Sequence, residues 1–289
     1  MAAFETPPLG EYPVIPLLRE GAMAHSKPFV AKPDHQKPLG FPGELVSDWE
    51  KVAVTKLGEL VSQSRALQVF LDSCVKCGAC TDKCHYYLGT SDPKNMPVAR
   101  QDLLRSVYRR YYTFAGKYFP KLVGARDMTK EVLDDWYSYF HQCSQCRRCS
   151  VFCPYGIDTA EISMAARDIM DSVGLGQKYS NEIIGKVHKI GNNLGLPEPA
   201  LRNTLDGLEE DVKEATGVDV KFPLDAKGAE VLLVTPSADF FAEPHIDGLI
   251  GYAKVLHAAG ISWTLSSHAS EAANFSLFIG NHDNLQKVA

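Results

Sequence analysis

Cys74-Val75-Lys76-Cys77-Gly78-Ala79-Cys80-Thr81-Asp82-Lys83-Cys84 and Cys143-Ser144-Gln145-Cys146-Arg147-Arg148-Cys149-Ser150-Val151-Phe152-Cys153 repeat one spacing, C-x2-C-x2-C-x3-C. Together they hold all eight cysteines of the 289-residue chain, and the second copy runs on into Pro154. Three thiolates two residues apart on a tight turn grip three corners of a cubane. The fourth, three residues on, points out of that turn and reaches a neighbouring cluster. A structural zinc site instead wants two separated Cys or His pairs around a tetrahedron. A disulfide framework belongs to short, secreted, loop-rich chains. The spacing therefore predicts two [4Fe–4S] clusters, one on Cys74, Cys77, Cys80 and Cys153, the other on Cys143, Cys146, Cys149 and Cys84.

The sequence on either side of each motif reads as helix. From Glu44, the residues Leu45, Trp49, Val52, Leu57, Leu60, Val61, Leu67, Phe70 and Leu71 recur at three- and four-residue steps up to the first cysteine turn. Between the motifs lie 58 residues, far more than small ferredoxins use. Val98–Val123 reads as one helix, with Leu103, Leu104, Val107, Tyr108, Tyr111 and Tyr112 on its apolar side. Arg100, Arg105, Arg109, Arg110 and Lys117 give it a basic surface, either a solvated face or a docking face for an acidic redox partner. A second helix, Lys130–Phe140, leads into Cys143. After Cys153, Asp158 or Thr159 caps a helix over Ala160–Val173. Lys76, Lys83, Arg147 and Arg148 lie inside the motifs, as solvated or paired surface charges or as charges that favour the reduced cluster.

The flanking regions differ in character. Residues 1–43 are proline-rich and lack periodic apolar runs, which predicts a disordered or extended arm, with Val14-Ile15 and Leu17-Leu18 as short docking elements. Residues 44–190 form the cluster-bearing domain. Residues 191–228 read as an acidic linker with one short helix over Ala200–Thr216. At Ala229 the pattern changes: Val231–Val234 and Ile261–Leu265 read as strands around a helix over Ile246–Ala259, a parallel βαβ unit. Such a unit cannot cover both faces of a sheet, so 229–289 reads as the start of an incomplete domain, with Leu277-Phe278-Ile279-Gly280 unassigned. The fold class is mainly α, an α-helical ferredoxin module followed by the beginning of an α/β domain.

Composition narrows the function classes. Hydrophobic residues at 45% and charged residues at 22% suit a globular protein, and a net charge of −5 gives no sign of nucleic-acid binding. No window approaches twenty uninterrupted apolar residues, so no membrane-spanning helix is expected. The N-terminus has neither a basic patch with an apolar run nor twin arginines, and oxygen-labile thiolate clusters fit the cytoplasm.

Helix, cysteine turn and helix, repeated with helical insertions, resembles the α-helical ferredoxin module of succinate dehydrogenase and heterodisulfide reductase iron–sulfur subunits. Cys74–Cys84 with His85-Tyr86-Tyr87, the Arg105–Tyr112 helix, His141-Gln142-Cys143 through Cys153-Pro154-Tyr155-Gly156, and Val231–Ser266 resemble the heterodisulfide-reductase D family. Within that family they are most similar to the K subunits of sulfite-reduction-associated Dsr membrane complexes. The resemblance implies an electron-transfer subunit of a membrane-associated redox complex of dissimilatory sulfur metabolism, peripheral to the cytoplasmic membrane through partner subunits. It implies a membrane cytochrome b-type partner and a small cytoplasmic protein with redox-active cysteines. In that family the second domain is of CCG type, its Cys-Cys-Gly motifs binding a further cluster for disulfide chemistry. This sequence has no cysteine after Cys153, so such a cluster is expected only if the chain continues past Ala289, and the catalytic residues are unknown. His85 stands where the second motif has proline. The iron–sulfur subunits of flavin-linked 2-hydroxyacid or glycerol-3-phosphate oxidoreductases resemble the same layout, and a flavoprotein partner would distinguish them. A module whose metal only holds the fold would be redox-silent.

Overall fold

The computed structural model describes residues 44–235, 237–242, 245–268, 273–280 and 286. The N-terminal arm, with Val14-Ile15 and Leu17-Leu18, lies outside the described residues.

Helices α1 (Trp49–Gln63) and α2 (Arg65–Ser73) occupy the first periodic stretch. They are two helices rather than one because Ser64 leaves the helical conformation. Its backbone N–H closes the end of α1 on the Leu60 carbonyl, and its hydroxyl accepts from the Leu67 N–H to start α2. After the first cysteine loop come α3 (His85–Thr90) and α4 (Pro97–Tyr112). The expected continuous helix to Val123 stops at Thr113, whose extended backbone and side-chain cap to Gly116 begin α5 (Phe114–Tyr118). Pro120 then opens α6 (Pro120–Val123), as proline does at a first helical position. Helix α7 (Lys130–His141) leads into the second cysteine loop, which contains α8 (Arg148–Val151). Helix α9 (Thr159–Ser172) follows it.

Helix α9 is the central element, packed against α1, α4 and α7. Its sequence suits that position, because Ala160, Ser163, Ala165 and Ala166 are small enough for neighbouring helices to approach, while Ile162, Ile169 and Met170 fill the gaps between them. Around it Leu57, Leu71, Leu104, Leu133, Trp136 and Phe140 are fully buried. Trp136 also satisfies its indole N–H on the Leu103 carbonyl at 3.2 Å.

Beyond this core, α10 (Lys178–Ile190) leads to α11 (Glu198–Thr216), β1 (Val231–Leu232), α12 (His245–Ala259), β2 (Trp263–Thr264) and α13 (Ala273–Ile279). The strands pair in parallel, Val231 with Trp263 and Leu232 with Thr264, and Leu224 bridges Leu265. They are shorter than their apolar runs suggest. The stretch expected to be a linker is built differently. Leu201, Leu205, Leu208 and Val212 of α11 bury into a second core with Phe222, Leu249, Ala253 and Trp263. Its acidic residues are the outer face of a packed helix, and Glu209 is tied to Arg202 and Lys221. Leu277-Phe278-Ile279 ends α13, which lies on α9 and α10, with Ile279 against Ile184.

Candidate iron–sulfur centres

The two cysteine loops fold alike because their backbones turn at matching places. Lys76 and Gln145, each two residues after the first cysteine, both have φ of 58°. Gly78 and Arg147, each directly after the second cysteine, have φ of 80° and 58°. Left-handed backbone costs a non-glycine residue about 1–2 kcal/mol, so Lys76, Gln145 and Arg147 hold a conformation their side chains oppose. Alternating right- and left-handed residues turn successive N–H groups inward into a nest for an anion, the arrangement used at many iron–sulfur sites.

The loops bring cysteines of both motifs together. One pocket is lined by Cys74, Cys77, Cys80 and Cys153, with Gln101 and Ile157 behind them. A second is lined by Cys84, Cys143 and Cys146, with Arg100 and Pro97. Cys149 and Thr159 line both and form the shared wall. All eight cysteines are free thiols. Among the described residues no three His, Cys, Asp or Glu side chains converge as they would around a single metal ion. Donor type, donor number and loop conformation fit an iron–sulfur cluster in each pocket.

Exposure is graded alike over the first three cysteines of both loops. The second of each, Cys77 and Cys146, is exposed and the first and third are half-buried; the fourth differ, Cys84 being buried and Cys153 half-buried. Burial pushes the Cys80 thiol up to about 11, against a hydrogen bond with the Val98 backbone. Burial raises Cys149 as well, opposed by the Thr159 hydroxyl. These thiols become good ligands only when a cation in the cavity favours the thiolate.

The supporting residues are arginines the sequence places on a basic surface. Arg100 and Arg105 point inward instead and are almost fully buried. Arg105 donates to the Cys74 carbonyl at 2.7 Å and pairs with Asp102, which also takes Lys76. Arg167 of α9 does the same for the second loop, donating to the carbonyls of Phe140 and Cys143. The carbonyl of the first cysteine in each motif is thus held by a buried guanidinium. Arg100 donates Nε–H to the Tyr139 carbonyl at 2.8 Å and an Nη2 hydrogen to Asn95 at 2.7 Å, and its Nη1 lies 3.6 Å from Cys84 Sγ. Burial brings the Arg167 pKa down to about 10, with Cys143 opposing, and its Nη1 has no hydrogen-bond partner among the described residues. Burial, with Arg167 alongside, holds His141 well below the usual histidine range, so its ring is neutral. Periodicity alone does not show that Arg100, Arg105 and Arg167 face inward. An arginine three residues into an apolar stripe is the one available signal.

Other charges in the loops are paired at the surface. Arg147 meets Asp158 at 3.1 Å, and Asp158 also caps α9 through Ala160 and accepts from Ser150. Lys83 pairs with Asp82 and lies over the Phe152 ring. His85, in the place of a proline, begins α3, and its Nε2 is 3.3 Å from Ser144 Oγ, linking the two loops.

Residues 70–157 match the 4Fe-4S dicluster domain family. The chain is 45% identical over 239 residues to an Hdr-like menaquinol oxidoreductase iron-sulfur subunit 2 from Archaeoglobus fulgidus, a match spanning 81% of this chain and 43% of that protein. It is 44% identical to the corresponding iron-sulfur subunit of Archaeoglobus profundus over the same shares. The D-type polypeptide of the dihydromethanophenazine:CoB--CoM heterodisulfide reductase from Methanosarcina barkeri is 29% identical over 122 residues, 41% of this chain and 29% of that one. No solved structure matches. The chain is mainly helical, contains a 4Fe-4S dicluster domain, is similar to heterodisulfide-reductase-like iron–sulfur subunits, and spans less than half the length of the curated relatives it matches. Among its described residues no helix is long and apolar enough to cross a membrane.

Proposed function

We propose that the chain carries two [4Fe–4S] clusters with exchanged fourth ligands, Cys74, Cys77, Cys80 and Cys153 on one, Cys143, Cys146, Cys149 and Cys84 on the other. The observation that carries this is the pair of adjoining cavities, each lined by three cysteines of one motif and the last cysteine of the other. Such clusters supply one-electron transfer. The chain's own residues set the conditions for it: Arg105 and Arg167 fix the loops, Arg100 faces a ligand sulfur, and α9 keeps the inner walls dry. Exposed Cys77 and Cys146 make the natural entry and exit edges.

In this reading residues 44–190 form an electron-transfer module of a membrane-associated redox complex. Names that combine menaquinol oxidoreductase with an Hdr-like subunit support a quinol-linked partner on one side. A cytochrome b-type membrane subunit fills that role. A disulfide-handling site, served by a small protein with redox-active cysteines as in Dsr-type complexes, takes the electrons on the other side. Peripheral placement at the cytoplasmic membrane follows. The full chain, reconstituted anaerobically, should bind about eight irons and eight sulfides, the content of two cubanes. Zinc alone, or iron that cannot be reduced, would sink the proposal.

A further inference from the structure

The stretch from Leu103 to Arg126 contains six arginines and lysines and no aspartate or glutamate, in a chain whose net charge is −5. Within it α5 and α6 expose large apolar side chains: Phe114 is 75% accessible, Tyr118 66%, Phe119 55% and Leu122 84%. Four such residues within nine positions form a cluster that folding leaves in water, where scattered single exposures need no explanation. Lys117 and Lys121 alternate with them, are themselves exposed, and form no ion pair among the described residues.

This tip is held firmly. Gly116 lies so close to the end of α4 that a Cβ there would sit 1.8 Å from the Arg109 carbonyl oxygen. Arg109 donates to the Val123 carbonyl at the end of α6, and Arg126 donates to the Ser106 hydroxyl. Phe114 and Tyr118 pack ring to ring at 4.7 Å. The apolar groups are therefore presented rather than merely loose.

We propose that α5 and α6 seat this chain directly on the surface of an anionic lipid bilayer. Phe, Tyr and Leu side chains enter the headgroup layer and Lys117 and Lys121 meet lipid phosphates. The chemistry matches the interface, where aromatic rings sit at headgroup depth and lysines near the surface are drawn to anionic lipid. A protein surface would bury the same phenylalanine and leucine; the alternation of aromatic rings with lysines unpaired among the described residues, on one short segment, is what favours a headgroup layer. The seating is a contact of this chain itself, in addition to any tether through a partner.

Flotation of the cluster-loaded full chain with vesicles tests it. Vesicles containing about one third phosphatidylglycerol in phosphatidylcholine should bind the protein, and pure phosphatidylcholine vesicles should bind it at least about tenfold more weakly. Lys117→Glu with Lys121→Glu, and separately Phe114→Ser with Leu122→Ser, should each weaken binding about tenfold or more. Lys213→Glu, on a helix of the second core, should leave it unchanged. The cluster absorbance of each variant reports that the fold and the redox centres survive, so loss of binding is separable from loss of cofactor. Equal binding to both vesicle types, or variants that bind like the parent, overturns the proposal. A photoreactive residue at Leu122 in native membranes should label lipid; labelling of a protein chain instead also overturns it.

Discussion

Replacing Arg100 with glutamine removes one buried positive charge from the wall of the cavity lined by Cys84, Cys143 and Cys146. The charge has no carboxylate among its hydrogen-bond partners, which are the Tyr139 carbonyl, the Asn95 amide oxygen and, at 3.6 Å, Cys84 Sγ. One-electron reduction of a cluster held by Cys84 would add a negative charge beyond that sulfur, and for a separation of roughly 5 Å the attraction would be about 3 kcal/mol at an effective dielectric constant near 20. A tenfold change in a one-electron equilibrium is 59 mV and about 1.4 kcal/mol, so the full charge is worth on the order of 130 mV. Reorganised solvent and the retained glutamine dipole reduce this, leaving an expected drop of about 50–130 mV. An EPR-monitored redox titration should show one cluster moving to a more negative potential by clearly more than the other, because the attraction falls with distance. Arg100→Lys keeps the charge and loses the fork, so it should melt earlier yet hold most of the potential. A potential unmoved by Arg100→Gln, or both clusters moving equally, would refute the assignment of Arg100 to one cavity.

Three further outcomes are expected. Cys153→Ser should empty the site of the first motif, halving the iron to about four per chain, whereas loss confined to the second-motif cluster would refute the exchanged ligation. Asp158→Ala removes the cap of α9 and the anchor for Ser150 and Arg147, which should cost about 0.5–2 kcal/mol in denaturant melts. Burial acts to raise Asp225, but hydrogen bonds from Ser267 win and its pKa is lowered. A depressed carboxylate stabilises the fold above the ordinary aspartate range and loses that contribution as pH falls through its folded value. The melting difference between the parent and Asp225→Asn should therefore be largest near neutrality and vanish in acid; a constant difference would count against this linkage.

The cysteine spacing by itself points to iron–sulfur chemistry, because few other sites use thiolates in that pattern, and the domain match over residues 70–157 agrees. The helices are legible for a related reason, since their apolar residues recur on one face. Their ends are less so. Ser64 and Thr113 break helices through local capping bonds that compete with weak periodic signals across the break. Arg100 and Arg105 read as surface residues because a charged side chain is ordinarily solvated. Only the tertiary arrangement supplies the carbonyls and the sulfur that reward burying them. The segment before β1 reads as a linker from its acidic residues, although Leu201, Leu205, Leu208 and Val212 already follow helical spacing. There composition outweighs periodicity in the reading, and periodicity is the better guide.

The shared wall between the cavities also orders events during synthesis. Cys84 leaves the ribosome long before the residues it faces, and the first cavity gains its last cysteine only at Cys153. With the exchanged ligation proposed above, neither centre could be completed until the whole insertion between the motifs had been made. Each cluster would then close a loop of dozens of residues, and by the loop-closure argument such a cross-link would restrict the unfolded chain by several kcal/mol. Under that ligation a chain stalled before Cys143 would hold no complete ligand set, and one stalled between Cys149 and Cys153 would hold only the second.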